Sequence, residues 1–150
     1  MLITVTPAVT AGLYTANDCV GGKLTLAGAI RIEGCISLLQ SFTIIDLGMQ
    51  SAAMSVYLFG ANPATGAYTD DAELDIHDTD ALLCIGCFNV LAADYLAAKD
   101  NSFACVTNLG ILCRAVTGTT LYAVMKTTGA PTYASVSDLT LVFGFRRNQG

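Results

Sequence analysis

The side chains able to do chemistry are few and scattered. His77 is the only histidine. A Ser or Cys nucleophile needs a base, most often His, within hydrogen-bond reach. His77 instead stands among carboxylates, with no Gly-x-Ser-x-Gly elbow beside it, and one titratable group alone makes a poor catalytic site. It is read as a solvated or helix-capping residue. Cys84-Ile85-Gly86-Cys87 is a CxxC, which could be half of a zinc site or a redox pair. A structural zinc site takes four ligands, and the other cysteines are isolated. A redox CxxC wants its first Cys at a helix N-terminus, whereas these surroundings read as strand. Buried thiols are the favoured reading.

Tyr68 to Asp80 holds Asp70, Asp71, Glu73, Asp75, Asp78 and Asp80, half of the twelve acids. Asp71, Glu73 and Asp75 alternate as in a calcium loop. Ile76 stands where that loop needs its sharp-turn Gly, however, and Leu82 where it needs a bidentate Glu. A solvated acidic loop with a short helix or turn, capped by Thr69 or Asp70, is the preferred reading. No phosphate-cradling loop is present, since Gly21-Gly22 and Gly28 lack the Lys and the spacing. Tyr57, Phe59, Tyr122 and Tyr133 could form a sugar platform, but read first as core or interface. The residues thus assign no catalytic, cofactor-binding or metal site, and the chain is expected not to be an enzyme.

The totals agree. The chain has 150 residues with a formal charge of −5, is 53% hydrophobic and only 13% charged. One domain with a real core fits that length. So little polar surface predicts that part of the apolar content is covered by a partner, although Ala and Gly inflate the count. Binding a polyanion needs clustered cations, and only Arg146-Arg147 are adjacent, so nucleic acid is not expected as a partner. No apolar run approaches the ~18 residues of a membrane span. Met1–Thr6 lacks a basic start and a long apolar run, so the six cysteines are expected as free thiols from a reducing cytoplasm.

The elements that must position these groups read as strands. Leu139, Leu141, Phe143 and Phe145 alternate with Thr140, Val142 and Gly144, the two-residue period of a strand with one apolar face. Its expected partner, Thr119–Thr127, is apolar on both sides and so reads as covered on both faces. Lys23–Leu26, Ile36–Leu47, Met54–Gly60, Leu82–Val90, Ser102–Asn108 and Ile111–Val116 follow as further strands. In Ile36–Leu47 a bulge near Ser41 would restore the phase. Gly48–Ser51 reads as a hairpin connection, Ala92–Asp100 as a helical turn or loop, and Thr128–Asp138 as a long exposed loop. Residues 1–18 read as an extended N-terminal arm that orders on a partner, and residues 19–150 as a single domain. Eight or nine strands without long helices predict an all-β fold, an antiparallel β-sandwich that is jelly-roll-like, with one short helix or turn near Asp70–Asp80.

Several stretches carry a resemblance: Leu38–Asp46, Val56–Phe59 with Asn62-Pro63, Tyr68–Asp71, Leu74–Ile76, Asp78–Asp80, Thr117–Tyr122, Ala130–Tyr133 and Asp138–Leu141. In these the chain resembles the capsid decoration (cement) proteins of tailed bacteriophages, and six cysteines are more than that group leads one to expect. The resemblance implies a non-enzymatic β-sandwich, a homotrimer on the outer capsid surface of the virion. It would be synthesised in the host cytoplasm and would bridge major capsid protein subunits without cofactors. The alternative is a receptor-binding or carbohydrate-binding sandwich of the phage tail.

Overall fold

The computed structural model describes residues 1–147. Nine strands form in chain order: β1 (Leu2–Val5), β2 (Leu24–Leu26), β3 (Ser37–Asp46), β4 (Met54–Phe59), β5 (Cys84–Val90), β6 (Tyr95–Ala97), β7 (Ser102–Cys113), β8 (Leu121–Thr127) and β9 (Leu139–Arg147). A single α-helical turn, α1 (Asp78–Ala81), precedes β5, and a 3₁₀ turn (Ala92–Asp94) precedes β6. One sheet has the order β1-β9-β3-β7-β6 and the other β2-β8-β4-β5. All named pairings are antiparallel. Most consecutive strands lie in opposite sheets, the wrapped arrangement of a jelly roll, with β6 added at one edge. The expected all-β sandwich is thus what the chain forms.

Alternation explains the core. Leu39, Phe42 and Ile44 of β3 and Leu139, Leu141, Phe143 and Phe145 of β9 point inward and are buried. From the other sheet Met54, Val56, Leu58, Leu121, Ala123 and Met125 meet them. Phe42 is the hub, edge-on to Phe143 at 4.8 Å and to Phe88 at 5.2 Å between ring centroids. Each such ring contributes more than its area alone, by ~1 kcal/mol. The bulge in β3 is present. Its register slips between Leu39 and Ser41 against both neighbours; against β9 Gln40 is the extra residue, while against β7 the excess lies at 108–110, and Leu39, Phe42 and Ile44 all stay inside. Gly144 lies opposite Ser41, where a Cβ would sit 2.2 Å from the Ser41 hydroxyl oxygen.

Four expectations need correction. β8 and β9 do not pair; they belong to different sheets and face each other across the core. On the outward face of β8 Val124 is buried as fully as Leu121 and Ala123, while Tyr122 and Lys126 are half-exposed. For the same reason 48–51 is a crossover between sheets, not a hairpin. Ser102–Asn108 and Ile111–Val116 are not two strands. Ser102–Cys113 is one strand, because both halves pair with β3, and the kink is a bulge with Asn108 and Gly110 at positive φ.

Residues 1–18 are not a loose arm. β1 pairs with β9, and Ile3, Val9 and Tyr14 are buried. Val9 and Tyr14 donate backbone hydrogen bonds to Val136 (3.1 Å) and Pro131 (2.9 Å). An alanine- and threonine-rich segment has little inward signal of its own, so its docking onto 128–138 is invisible locally.

Candidate functional site

The residues singled out for chemistry do not converge. His77 is exposed and serves as the N-cap of α1, its ring nitrogen accepting from the Thr79 N–H at 3.2 Å. Capping falls to His77 and not to Thr69 or Asp70. Cys84 and Cys87 lie on β5 and are both exposed, which corrects the buried reading. Cys84, Cys87 and Asn89 are exposed on β5, whereas Ile85 and Phe88 pack against the core. A bulge at Ile85 also breaks its register. All six thiols are unpaired. Only Cys19 and Cys113 are buried, and desolvation pushes each thiol up to about 11. Among the described residues no three His, Cys, Asp or Glu side chains gather as metal ligands. Phe59 and Tyr133 are buried, so the four-ring sugar platform is not assembled.

The acidic segment works as a clasp. Asp70 accepts from Thr10 Oγ1 (2.7 Å), the Tyr14 hydroxyl (2.7 Å) and the Gly21 N–H (2.6 Å). It therefore joins the N-terminal segment to the turn at Gly21. Burial and the Asp70 carboxylate raise the Tyr14 phenol well above its ordinary range. Asp80 turns inward in the same manner. It accepts from the Tyr68 hydroxyl and from the N–H groups of Gly66 (2.8 Å), Thr65 (2.9 Å) and Ala64 (3.2 Å). Burial opposes its charge, but these donors outweigh burial and hold the carboxyl well below the usual range. Asp71, Glu73, Asp75 and Asp78 remain outward or half-exposed.

Two carboxyls therefore give opposite pH dependences. Asp46 is 1% exposed with one oxygen lacking a hydrogen-bond partner, and desolvation raises its pKa despite the Ser51, Gln50 and Gly48 N–H groups. A raised folded pKa means that the native state takes up the proton first, so stability rises as pH falls from that pKa toward ~3.9. Asp80 has a lowered folded pKa, so its contribution is complete above ~3.9 and is lost as pH falls below that value. The melting temperature is expected to peak in mild acid. Asp46→Asn should flatten the limb above the peak and Asp80→Asn the limb below it, as followed by circular dichroism across pH.

What the fold does assemble is one end of the sandwich. The 47–53 crossover, the Ala92–Asp94 turn and the 128–138 loop surround an open cavity of about 380 Å³. Its walls are small: Ala52, Ala53, Ala92, Gly129, Ala130 and Pro131, with Gln50, Ser51 and Thr128 supplying polar atoms. Hydrogen bonds fix these loops. Thr132 N–H donates to Gln50 Oε1 (2.9 Å), Thr128 N–H to the Ala53 carbonyl (3.0 Å), and the Tyr95 hydroxyl to the Ala52 carbonyl (2.8 Å). Beneath them Asp138 accepts from the Ala134 (2.9 Å) and Ser135 (3.0 Å) N–H groups, and Asp46 from Ser51 (2.8 Å). On the same loops and the 9–13 stretch bound to them, Leu13, Leu47, Met49, Leu91 and Val136 are 43–60% exposed. Five exposed apolar side chains thus stand on hydrogen-bonded loops at one end of the sandwich. They come from four separate segments, so no local pattern could have marked them.

At the level its architecture defines, the chain is a jelly-roll β-sandwich with an apolar loop end. No known protein-family model and no curated protein matches it.

Proposed function

We propose that this protein is a non-enzymatic structural component of a tailed-phage virion, a decoration protein that clips onto the outer capsid surface and bridges major capsid protein subunits. The observation that carries the proposal is the apolar, hydrogen-bonded loop end around Leu47, Met49 and Val136. A clamp on a pressurised shell needs a rigid β-core and a pre-ordered contact surface, because ordering loops on binding subtracts from affinity. Jelly rolls recur in viral capsid and lectin domains, which agrees with the proposal without selecting it, since fold alone does not name function. The partners in this reading are the major capsid protein and further copies of the chain, three being the number the resemblance implies. No cofactor takes part.

The test is co-sedimentation of the purified protein with shells of the phage that encodes it. Leu47→Asp with Met49→Asp is expected to weaken binding at least about tenfold, the loss of two buried apolar anchors, with an unchanged melting temperature. Binding that is unaffected by the double substitution would overturn the assignment of this end. A protein found on the tail with measurable glycan affinity would instead establish the receptor-binding alternative.

A further inference from the structure

The five-stranded sheet has one side in the core and, among the described residues, the other side facing solvent. Register places its outward side chains in rows across the strands. Thr140, Ile45, Phe103 and Leu96 form one row. Thr4, Val142, Thr43 and Cys105 form the next. Leu2, Gly144, Ser41 and Thr107 form a third, and Arg146, Leu38 and Leu112 a fourth. Leu2 is 70% exposed, Leu96 77% and Leu112 65%. In all four rows Arg146, at one end, is the only charged side chain.

We infer that this face packs against the same face of a second copy. Two arguments select that occupant. The chain carries a formal charge of −5, so two copies repel least when they meet on a surface free of acids, and these rows contain none. Like charges set opposite each other would cost several kcal/mol. The second argument is area. The four rows hold fifteen residues, and at ~4.8 Å between strands and ~6.8 Å between same-face residues they present roughly 490 Å² per copy, or about 1,000 Å² in total, the least that a specific interface needs. Flat, uncharged sheets stack face to face at ~10 Å with strands nearly aligned. A face stacked on itself is two-fold, so the free protein pairs as a dimer and not as the trimer that the resemblance implies.

This inference concerns the free protein and does not rest on the capsid reading. Shell binding by a monomer would defeat it while sparing that reading, and an intact dimer that ignores shells would do the reverse. Sedimentation velocity of the full chain over a concentration series is expected to show a dimer. Val142→Asp or Thr43→Lys, central and outward, should dissociate it, while Leu82→Asp, 86% exposed on the C-cap of α1, should not. A measurement on the unsubstituted chain guards against misfolded variants. Cys105 alkylation, read by peptide mass spectrometry, should slow about tenfold on going from dilute to concentrated protein, in proportion to the monomer left. Cys84 and Cys87, on the other sheet, should react at a constant rate. A monomer at every concentration, a strictly three-fold species, or a dimer untouched by both face substitutions would overturn the inference. So would protection at Cys84 and Cys87 in place of Cys105, which would put the contact on the β5 edge.

Discussion

Removal of residues 1–18 is expected to unfold the protein, not to release a tether. The deletion takes away β1, the antiparallel neighbour of β9, and leaves that strand's edge unpaired. It also removes Ile3, Val9 and Tyr14 from the buried set. Burying one large apolar side chain stabilises by ~1.5–3 kcal/mol, and an unfilled site adds a cavity cost. Three such losses reach roughly 5–9 kcal/mol, against a total stability of ~5–15 kcal/mol for a typical domain. The Pro131 carbonyl loses the Tyr14 N–H and Thr127 loses that of Asn17. Far-UV circular dichroism and urea titration of the truncated chain should show no cooperative transition at 25 °C. A truncated protein that melts cooperatively within a few degrees of the full chain would show that the segment is dispensable to the fold.

Asp70→Ala is expected to cost about 3 kcal/mol, because three donors lose one charged acceptor at once. Those donors belong to Thr10, Tyr14 and Gly21, and Tyr14 is fully buried. Its ring stands edge-on to Tyr133 at 5.7 Å, so it cannot swing outward to find water without breaking that pair. For a chain of this size the melting temperature should fall by roughly 6–12 °C. Tyr14→Phe removes one of the three bonds and also the hydroxyl that accepts from the Thr10 N–H (2.8 Å), so it should cost about 2 kcal/mol. Calcium or a chelator should leave both values unchanged if Asp70 acts as a clasp. A melting temperature within about two degrees of the parent chain would remove Asp70 from that role.

The acidic segment also marks where local reading stops. Its composition says that carboxylates are present, and their spacing argues against a calcium loop. Nothing in Tyr68–Asp80 reveals that Asp70 and Asp80 turn inward while Asp71, Glu73, Asp75 and Asp78 do not. That choice depends on donors at Thr10, Tyr14 and Gly21 for one, and on the Ala64–Gly66 backbone for the other. Cys84 and Cys87 make the same point from the opposite direction. Their apolar surroundings suggest burial, but the sheet turns these two outward while Ile85 and Phe88 of the same strand pack against the core.

What the sequence determined by itself is the strand content and much of its phase. Alternation in Leu139–Phe145, the slip that required a bulge near Ser41, and the doubly apolar character of Leu121–Met125 are all legible, because a strand's two-residue period is set by its own backbone. Only the tertiary structure decided which sheet each strand joins, that residues 1–18 belong to the body, and which face is left bare. Hydrophobic patterning tells a residue to leave water but not which distant surface will cover it. That assignment is made by pairings between strands far apart in the chain, β1 with β9 and β3 with both β7 and β9, and exists only once the roll has closed.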